Sequence, residues 1–569
     1  MKKKKVFLIF TSISFLILLC IFLMRGYNHD FAFHLGRIEY IAEEFSQKGI
    51  SALPIRIYSA QNNGYGYGTP LFYGEIFLYP FALMVLCGCD LLLSTMFAYF
   101  CSYVLNFIIP YFCCKKYFDE NKSATFALLY AMSPYLVINT LQRGALGEVI
   151  SSAFVPLVLL IFFKMLEEKG SDMKQILWLS LALTFVLNAH TITALILTVT
   201  MALGFIFVCY QKKNLKYFKN KFVSFSLSAL FFFLMNISFI LPLLEQMISY
   251  EFRAFSGSGY IVYEHTVHIL RMITNLPDLL NGILTASEVL IPKCIFYFPA
   301  FAISVLLFYY CFKNKEYFTK YKILIKILIV LNILICWNGI WYLLEPLFGF
   351  IQFPWRLSTF VYMIISIILT DMLFNPKQTK VLTETSICVL SLFFILYLGF
   401  FYSYSIQICS NLEWNSHNIM EKMVLQDYIS VNTNDLTEET LQNEVYGYNG
   451  EYYVNKNNGV TKIEFVDYDY SKGNMLELPV IPYKGYKVLI NGTIPLEYKV
   501  GEHSQMFVKL ENNYEVNDIT IQYKGTITQK ISFVISIISW LLIIVRMLYP
   551  NFKEFKNNRF RNKKDANYH

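Results

Sequence analysis

Leu71-Phe72-Tyr73-Gly74-Glu75-Ile76-Phe77-Leu78-Tyr79-Pro80-Phe81-Ala82-Leu83-Met84-Val85-Leu86-Cys87 decides how this chain is threaded. The run is apolar and almost as long as the roughly 20 residues a helix needs to cross hydrocarbon. It nevertheless holds Glu75, and it follows Gln61-Asn62-Asn63-Gly64-Tyr65-Gly66-Tyr67-Gly68-Thr69-Pro70, a stretch of turn formers and aromatics. Counted as a crossing, it puts Lys115-Lys116 and the segment Arg143 to Glu148 on the wrong sides of a membrane. We therefore read it as a helix lying at the outer interface or re-entering. Trp337 to Phe350 is read in the same way.

The rest of the chain supplies the crossings. Of 569 residues, 56% are hydrophobic and only 15% charged, far more apolar surface than a soluble core of this length hides. Apolar runs near 6–24, 91–113, 123–141, 150–164, 175–189, 191–210, 221–243, 295–313, 322–337, 357–375, 384–405 and 530–549 predict about 12 transmembrane helices. Lysine-rich loops between them, such as Lys115-Lys116 and Lys212 to Lys221, then lie inside, and both termini are cytoplasmic. The net charge of +8 belongs to these short tracts rather than to one soluble face, so no nucleic acid is expected as a partner. Lys2 to Lys5 followed by Val6 to Met24 resembles a signal sequence without a cleavage site, and is read as an uncleaved first helix. The 12 cysteines lie mostly in apolar runs and form no zinc-spaced set.

The expected architecture is an α-helical polytopic membrane module over 1–405 with an outer loop at 25–90, an outer linker at 406–442, and a small extracytoplasmic β-rich domain at 443–528. A last transmembrane helix at 529–550 and a basic cytoplasmic tail at 551–569 complete it. The β reading rests on Lys487 to Ile490 before Asn491-Gly492, a strong hairpin signal, and on the alternation in Ile519 to Tyr523.

Ionisable residues gather in the outer segments. Asp30, His34 and Arg37 fall at i, i+4 and i+7, on one face of a helix starting near Asn28. Gln142-Arg143-Gly144-Ala145-Leu146-Gly147-Glu148 joins two spans with a cation and a carboxylate five residues apart. His190 occupies a very short outer turn, and Arg356 follows Phe353-Pro354-Trp355 at the head of a span. Each has a plain reading as a helix cap, loop-closing ion pair or interface anchor. Together they bring two carboxylates and several cations to one side of a bundle, which suits an acceptor hydroxyl and an anionic lipid phosphate.

His29-Asp30-x3-His34-x2-Arg37, the Gly-Tyr-Gly segment before Pro70, Arg143 to Glu148 and Phe353 to Arg356 resemble the GT-C superfamily, especially its YfhO-like branch. Pro482 to Val488 with Asn491-Gly492 is similar to that branch's terminal β domain. The resemblance implies a glycosyltransferase that moves a sugar from a polyprenyl-phosphate donor to a cell-envelope glycopolymer or other acceptor at the outer face of the cell membrane. It implies Asp30 as catalytic base, Glu148 as the second acid, and substrate contacts from His34, Arg37, Arg143, His190 and Arg356. The first motif has one acid rather than a pair, so no firmly bound metal is expected, with a divalent cation the alternative. A transporter of lipid-linked saccharide and a non-catalytic envelope scaffold are the rival readings.

Overall fold

The computed structural model describes residues 2–565 except 25–29, 168–171, 256–261, 268–296, 375–379, 412–424, 432, 438, 512 and 513. His29 and most of the expected outer segment 244–294 lie outside the described residues. The first half of the chain forms α1 (Lys3–Met24), α2 (Phe31–Lys48), α3 (Thr69–Phe72), α4 (Tyr79–Leu86), α5 (Leu91–Cys114), α6 (Glu120–Ala131), α7 (Pro134–Ile138), α8 (Leu146–Glu167) and α9 (Met173–Ala189). The second half adds α10 (Thr191–Lys212), α11 (Leu215–Ser249), α12 (Phe298–Lys313), α13 (Lys315–Cys336), α14 (Trp341–Phe348), α15 (Ser358–Phe374), α16 (Lys380–Asn411) and α17 (Ile527–Asp565).

By length and composition, eight of the described helices can cross a membrane, and ten if each of two bent pairs is one span. The expectation of about twelve exceeds that count by α9 and α12, which are shorter apolar helices. Leu71 to Cys87 is not one helix. It is the end of α3, an irregular turn and α4, which at 1.5 Å per residue reaches only about 12 Å. α4 packs against α2 of the same outer loop. Trp337 to Phe350 likewise folds as short helical turns bent 87° from α13.

α8 and the segment leading into α15 are the most enclosed spans, while α10 and the start of α17 face outward. Polar side chains link neighbouring spans, as expected where lipid offers no alternative partner. Asn106 on α5 donates to the Val149 carbonyl of α8 at 2.7 Å, and Ser152 donates to its Oδ1 at 2.7 Å. Asn188 on α9 donates to Asn236 Oδ1 on α11 at 2.9 Å, and Asn236 donates to Thr184 at 2.8 Å. Basic residues collect at one end: Lys3 and Lys115 both pair with Glu120, and Lys164 lies over Tyr117. Glu148 starts α8 and Lys164 ends it, so the two poles are about 24 Å apart.

Eight strands follow: β1 (Tyr452–Asn457), β2 (Val460–Phe465), β3 (Met475–Leu478), β4 (Tyr486–Ile490), β5 (Ile494–Leu496), β6 (Tyr498–Val500), β7 (Met506–Lys509) and β8 (Asp518–Tyr523). They form two antiparallel sheets, β1-β2-β8-β4-β5 and β3-β7-β6, around Ile463, Leu476, Ile490, Val508 and Ile519. Asn491 and Gly492 turn between β4 and β5 with φ of 49° and 69°, the left-handed values that Asn and Gly tolerate.

This unit sits on the segment between α2 and α3. The Tyr65 hydroxyl accepts from Asn443 N at 3.0 Å, the Tyr65 carbonyl accepts from Ile481 N at 3.0 Å, and Lys456 lies 3.9 Å from the Tyr65 ring centre. Gly66 takes φ 77°, a left-handed value that disfavours any side chain, and a Cβ there would press on Tyr486 Oη and Ile57 Cγ2 at 3.0 and 3.1 Å. The Gly-Tyr-Gly segment is therefore a socket for the β unit and its linker. Asn106→Leu, which removes the α5–α8 bonds, is expected to lower stability by about 0.6–2 kcal/mol, measured by reversible unfolding in mixed micelles; an unchanged midpoint contradicts this.

Candidate functional site

Pro134 cannot donate a backbone hydrogen bond, so the helix that began at Glu120 breaks after Ser133 and restarts at a 50° bend. Five residues of α7 then widen into a turn over Asn139–Arg143, closed by Gly144 in the left-handed conformation at φ 65°. This local sequence brings Tyr135, Asn139 and Arg143 to one side, facing Glu148 in the first turn of α8. Glu148 also gains from the positive end of its helix dipole.

The Glu148 carboxylate is 7% exposed. Its Oε2 accepts from Arg143 at 3.0 Å, from Tyr135 Oη at 2.8 Å and from Asn139 at 3.3 Å. Its Oε1 accepts from Arg143 at 3.2 Å and from Arg356 Nε at 2.8 Å. Arg356 stands on a helical turn over Pro354–Leu357, where it also donates to the Ile351 carbonyl and Gln352 and lies 4.8 Å from the Phe353 ring centre. A carboxylate offers about four lone-pair sites, and five donors occupy them. Glu148, expected as the second catalytic acid, holds Arg143 and Arg356 together in this geometry.

His190 ends α9 and caps α10. Its Nδ1 accepts from Thr193 N at 3.3 Å, which leaves the ring proton on Nε2, 4.0 Å from Glu148 Oε1. Asp30 precedes α2, and its N–H donates to the Arg143 carbonyl at 2.8 Å. The base expected from the first outer loop is thus fastened to the arginine turn by backbone. The charge of Asp30 is felt by His34, Tyr73, Tyr99, Arg143 and His190 around it.

His34 and Arg37 share a face of α2 as expected, 3.4 Å apart, but both are buried. Arg37 turns into the protein, donating to the Gly74 carbonyl at 2.6 Å and stacking 4.3 Å from the centre of Tyr73. It thereby ties α2 to the turn between α3 and α4. Burial, and then the neighbouring Arg37, lower the His34 pKa to about 3, so the ring is neutral at physiological pH. Glu75, in the same turn, accepts from Tyr58 and is pushed up to about 8 by burial, against the pull of Arg37 and Arg56.

Two glycines permit this closeness. A Cβ on Gly74 would lie 2.5 Å from the Asn188 carbonyl, and one on Gly147 would lie 2.5 Å from the Ala189 carbonyl and strike the Tyr73 hydroxyl. A small cavity remains, lined by His34, Arg37, Gly74, Leu146, Gly147 and Asn188. Among the described residues, no group of three or more His, Cys, Asp or Glu could hold a metal ion. Sequence reasoning missed Tyr135 and Asn139, although with Arg143 they recur every fourth residue. It also missed Tyr73, for which no local signal exists. No family model matches the chain, and no curated protein matches it.

Removing the carboxylate leaves two arginines facing each other. Glu148→Ala is expected to destabilise the bundle by about 3–5 kcal/mol, read as loss of detergent-resistant fold, with Glu148→Gln intermediate; equal stability of all three forms rules this out. His34 has a folded pKa below its unfolded one, so its contribution is present above about pH 6.5 and is lost as pH falls towards about 3. Melting of His34→Gln should accordingly vary less across that window than melting of the unsubstituted chain.

Proposed function

We propose that this chain is a membrane glycosyltransferase of the GT-C kind, which transfers a sugar from a polyprenyl-phosphate donor to an envelope acceptor at the outer face of the cell membrane. In this reading the helices make twelve crossings and both termini are cytoplasmic. The observation that carries it is the joining of Asp30 to the Arg143–Glu148–Arg356 cluster through the Asp30 N–H bond to the Arg143 carbonyl, 2.8 Å long. Arg143 and Arg356 are both aimed by Glu148, so a donor phosphate brought against them meets two guanidinium groups.

The step is a single displacement. The Asp30 carboxylate takes the proton of an acceptor hydroxyl, whose oxygen attacks the anomeric carbon from the face opposite the phosphate. The new C–O bond forms as the bond from the anomeric carbon to the phosphate oxygen breaks, so the configuration inverts. The electron pair leaves with the lipid phosphate, whose added charge Arg143 and Arg356 stabilise. Positioning the base and the phosphate site on one backbone connection limits their relative motion, a main source of rate in such transfers. His190, with its proton on Nε2, supports the same cluster.

Asp30→Asn, nearly isosteric, is expected to lower sugar transfer by about 100-fold or more while the protein inserts and melts as before. Mass spectrometry of envelope glycans from cells producing each form reads the result as a missing sugar. Undiminished transfer by Asp30→Asn overturns the proposal, and continued movement of lipid-linked sugar across the membrane without transfer favours a transporter instead.

A further inference from the structure

α3 lasts only four residues, so Tyr73 leaves it in an extended conformation, φ −135° and ψ 129°. The chain just after it is fixed, because the Gly74 carbonyl accepts from Arg37 and Gly74 packs on Asn188. The Tyr73 ring is thereby laid on the Arg37 guanidinium, 4.3 Å from it. Its other neighbours come from both sides of the site. On one side is His34, whose N–H donates to the Asp30 carbonyl and whose ring centre lies 6.3 Å away. On the other is His190, which borders the Glu148 clamp and whose ring centre lies 6.2 Å away.

The Tyr73 hydroxyl lies at the start of α8. It is so close to Gly147 that a Cβ there would strike it, and Gly147 is the residue before Glu148. Both stand in the first turn of α8, where backbone N–H groups have no partner inside the helix. Tyr73 is half-buried, and among the described residues its hydroxyl has no hydrogen-bond partner. An unpaired hydroxyl is thus held beside a helix start and next to the carboxylate that aims Arg143 and Arg356. A ligand group there meets mostly donors and positive charge, the setting that favours phosphate.

We propose that Tyr73 is a third donor to the phosphate of the lipid-linked sugar, with its hydroxyl donating to a non-bridging phosphate oxygen at the start of α8, beside Arg143 and Arg356. The inference rests on the glycosyl-transfer reading and deepens it by naming where on the chain the phosphate sits. The charge of Arg37 beneath the ring makes the hydroxyl a better donor. No proton leaves Tyr73. Its hydrogen bond strengthens as the bond from the anomeric carbon to the phosphate oxygen breaks and the phosphate gains charge. The proton of the acceptor hydroxyl still goes to Asp30.

The test uses the purified full chain in mixed micelles, with farnesyl monophosphate as a short prenyl phosphate. Melting is the readout, since a ligand that binds only the folded form raises the melting temperature. Tyr73→Phe keeps the ring on Arg37 and removes a hydroxyl that bonds to nothing in the protein, so without ligand it should melt with the unsubstituted chain. Its dissociation constant for farnesyl monophosphate should be higher by about tenfold or more, the worth of a hydrogen bond to a charged group. Farnesol, which lacks the phosphate, should bind both forms alike. Equal affinity of the two forms for farnesyl monophosphate overturns the inference and leaves the glycosyl-transfer reading standing. Inorganic phosphate with the same affinity and the same dependence on Tyr73 also overturns it, because the site then serves a free anion. No stabilisation of the unsubstituted chain by farnesyl monophosphate overturns the glycosyl-transfer reading itself, and the inference with it.

Discussion

The Glu148 carboxylate, held between Arg143 and Arg356, is the contact on which the outer half of the bundle depends. It joins the turn after α7, the first turn of α8, the corner between α9 and α10, and the turn before α15. Ionised groups at this depth are costly unless paired. Without the carboxylate the two guanidinium groups are left facing each other. Low polarity around the cluster strengthens each of these bonds and makes partial dismantling expensive. The spans that carry these residues are thereby fixed in register with one another.

Everything nearer the solvent hangs from that clamp. Asp30 attaches to the Arg143 carbonyl, which sets where α2 begins. α2 in turn presents Arg37 to the Gly74 carbonyl, which holds the turn between α3 and α4 against Asn188 and Gly147. From there the Gly-Tyr-Gly segment leads outward as the seat of the linker and of the β unit. The absence of side chains at Gly74 and Gly147 lets backbone approach backbone there. The β unit is thus connected to the buried ion cluster through a continuous series of close contacts, although it lies outside the bundle.

In the proposed reaction Arg143 and Arg356, both pinned by Glu148, meet the donor phosphate, while Asp30, fastened to the same turn by its backbone, meets the acceptor hydroxyl. Glu148 serves the chemistry indirectly, since its lone pairs are already occupied by donors from the protein.

Much of this was legible along the chain. Apolar length set the helices, lysine tracts marked one pole, and alternation with Asn491-Gly492 located the β unit, because these signals depend on neighbours a few residues apart. Glu75 inside an apolar run, the turn formers up to Pro70 before it and the parity of crossings announced that Leu71 to Cys87 is no ordinary span, and Arg143 with Glu148 announced a loop-closing pair. Which cation completes that pair was not legible, because Arg356 lies 208 residues away and its choice of Glu148 follows from how spans pack. The inward turn of Arg37 follows from the carbonyl at Gly74, and the place of residues 425–431 follows from pairing with residues 251–255. Local sequence determines which groups can be buried or charged; only the tertiary fold decides which distant partner makes that burial affordable.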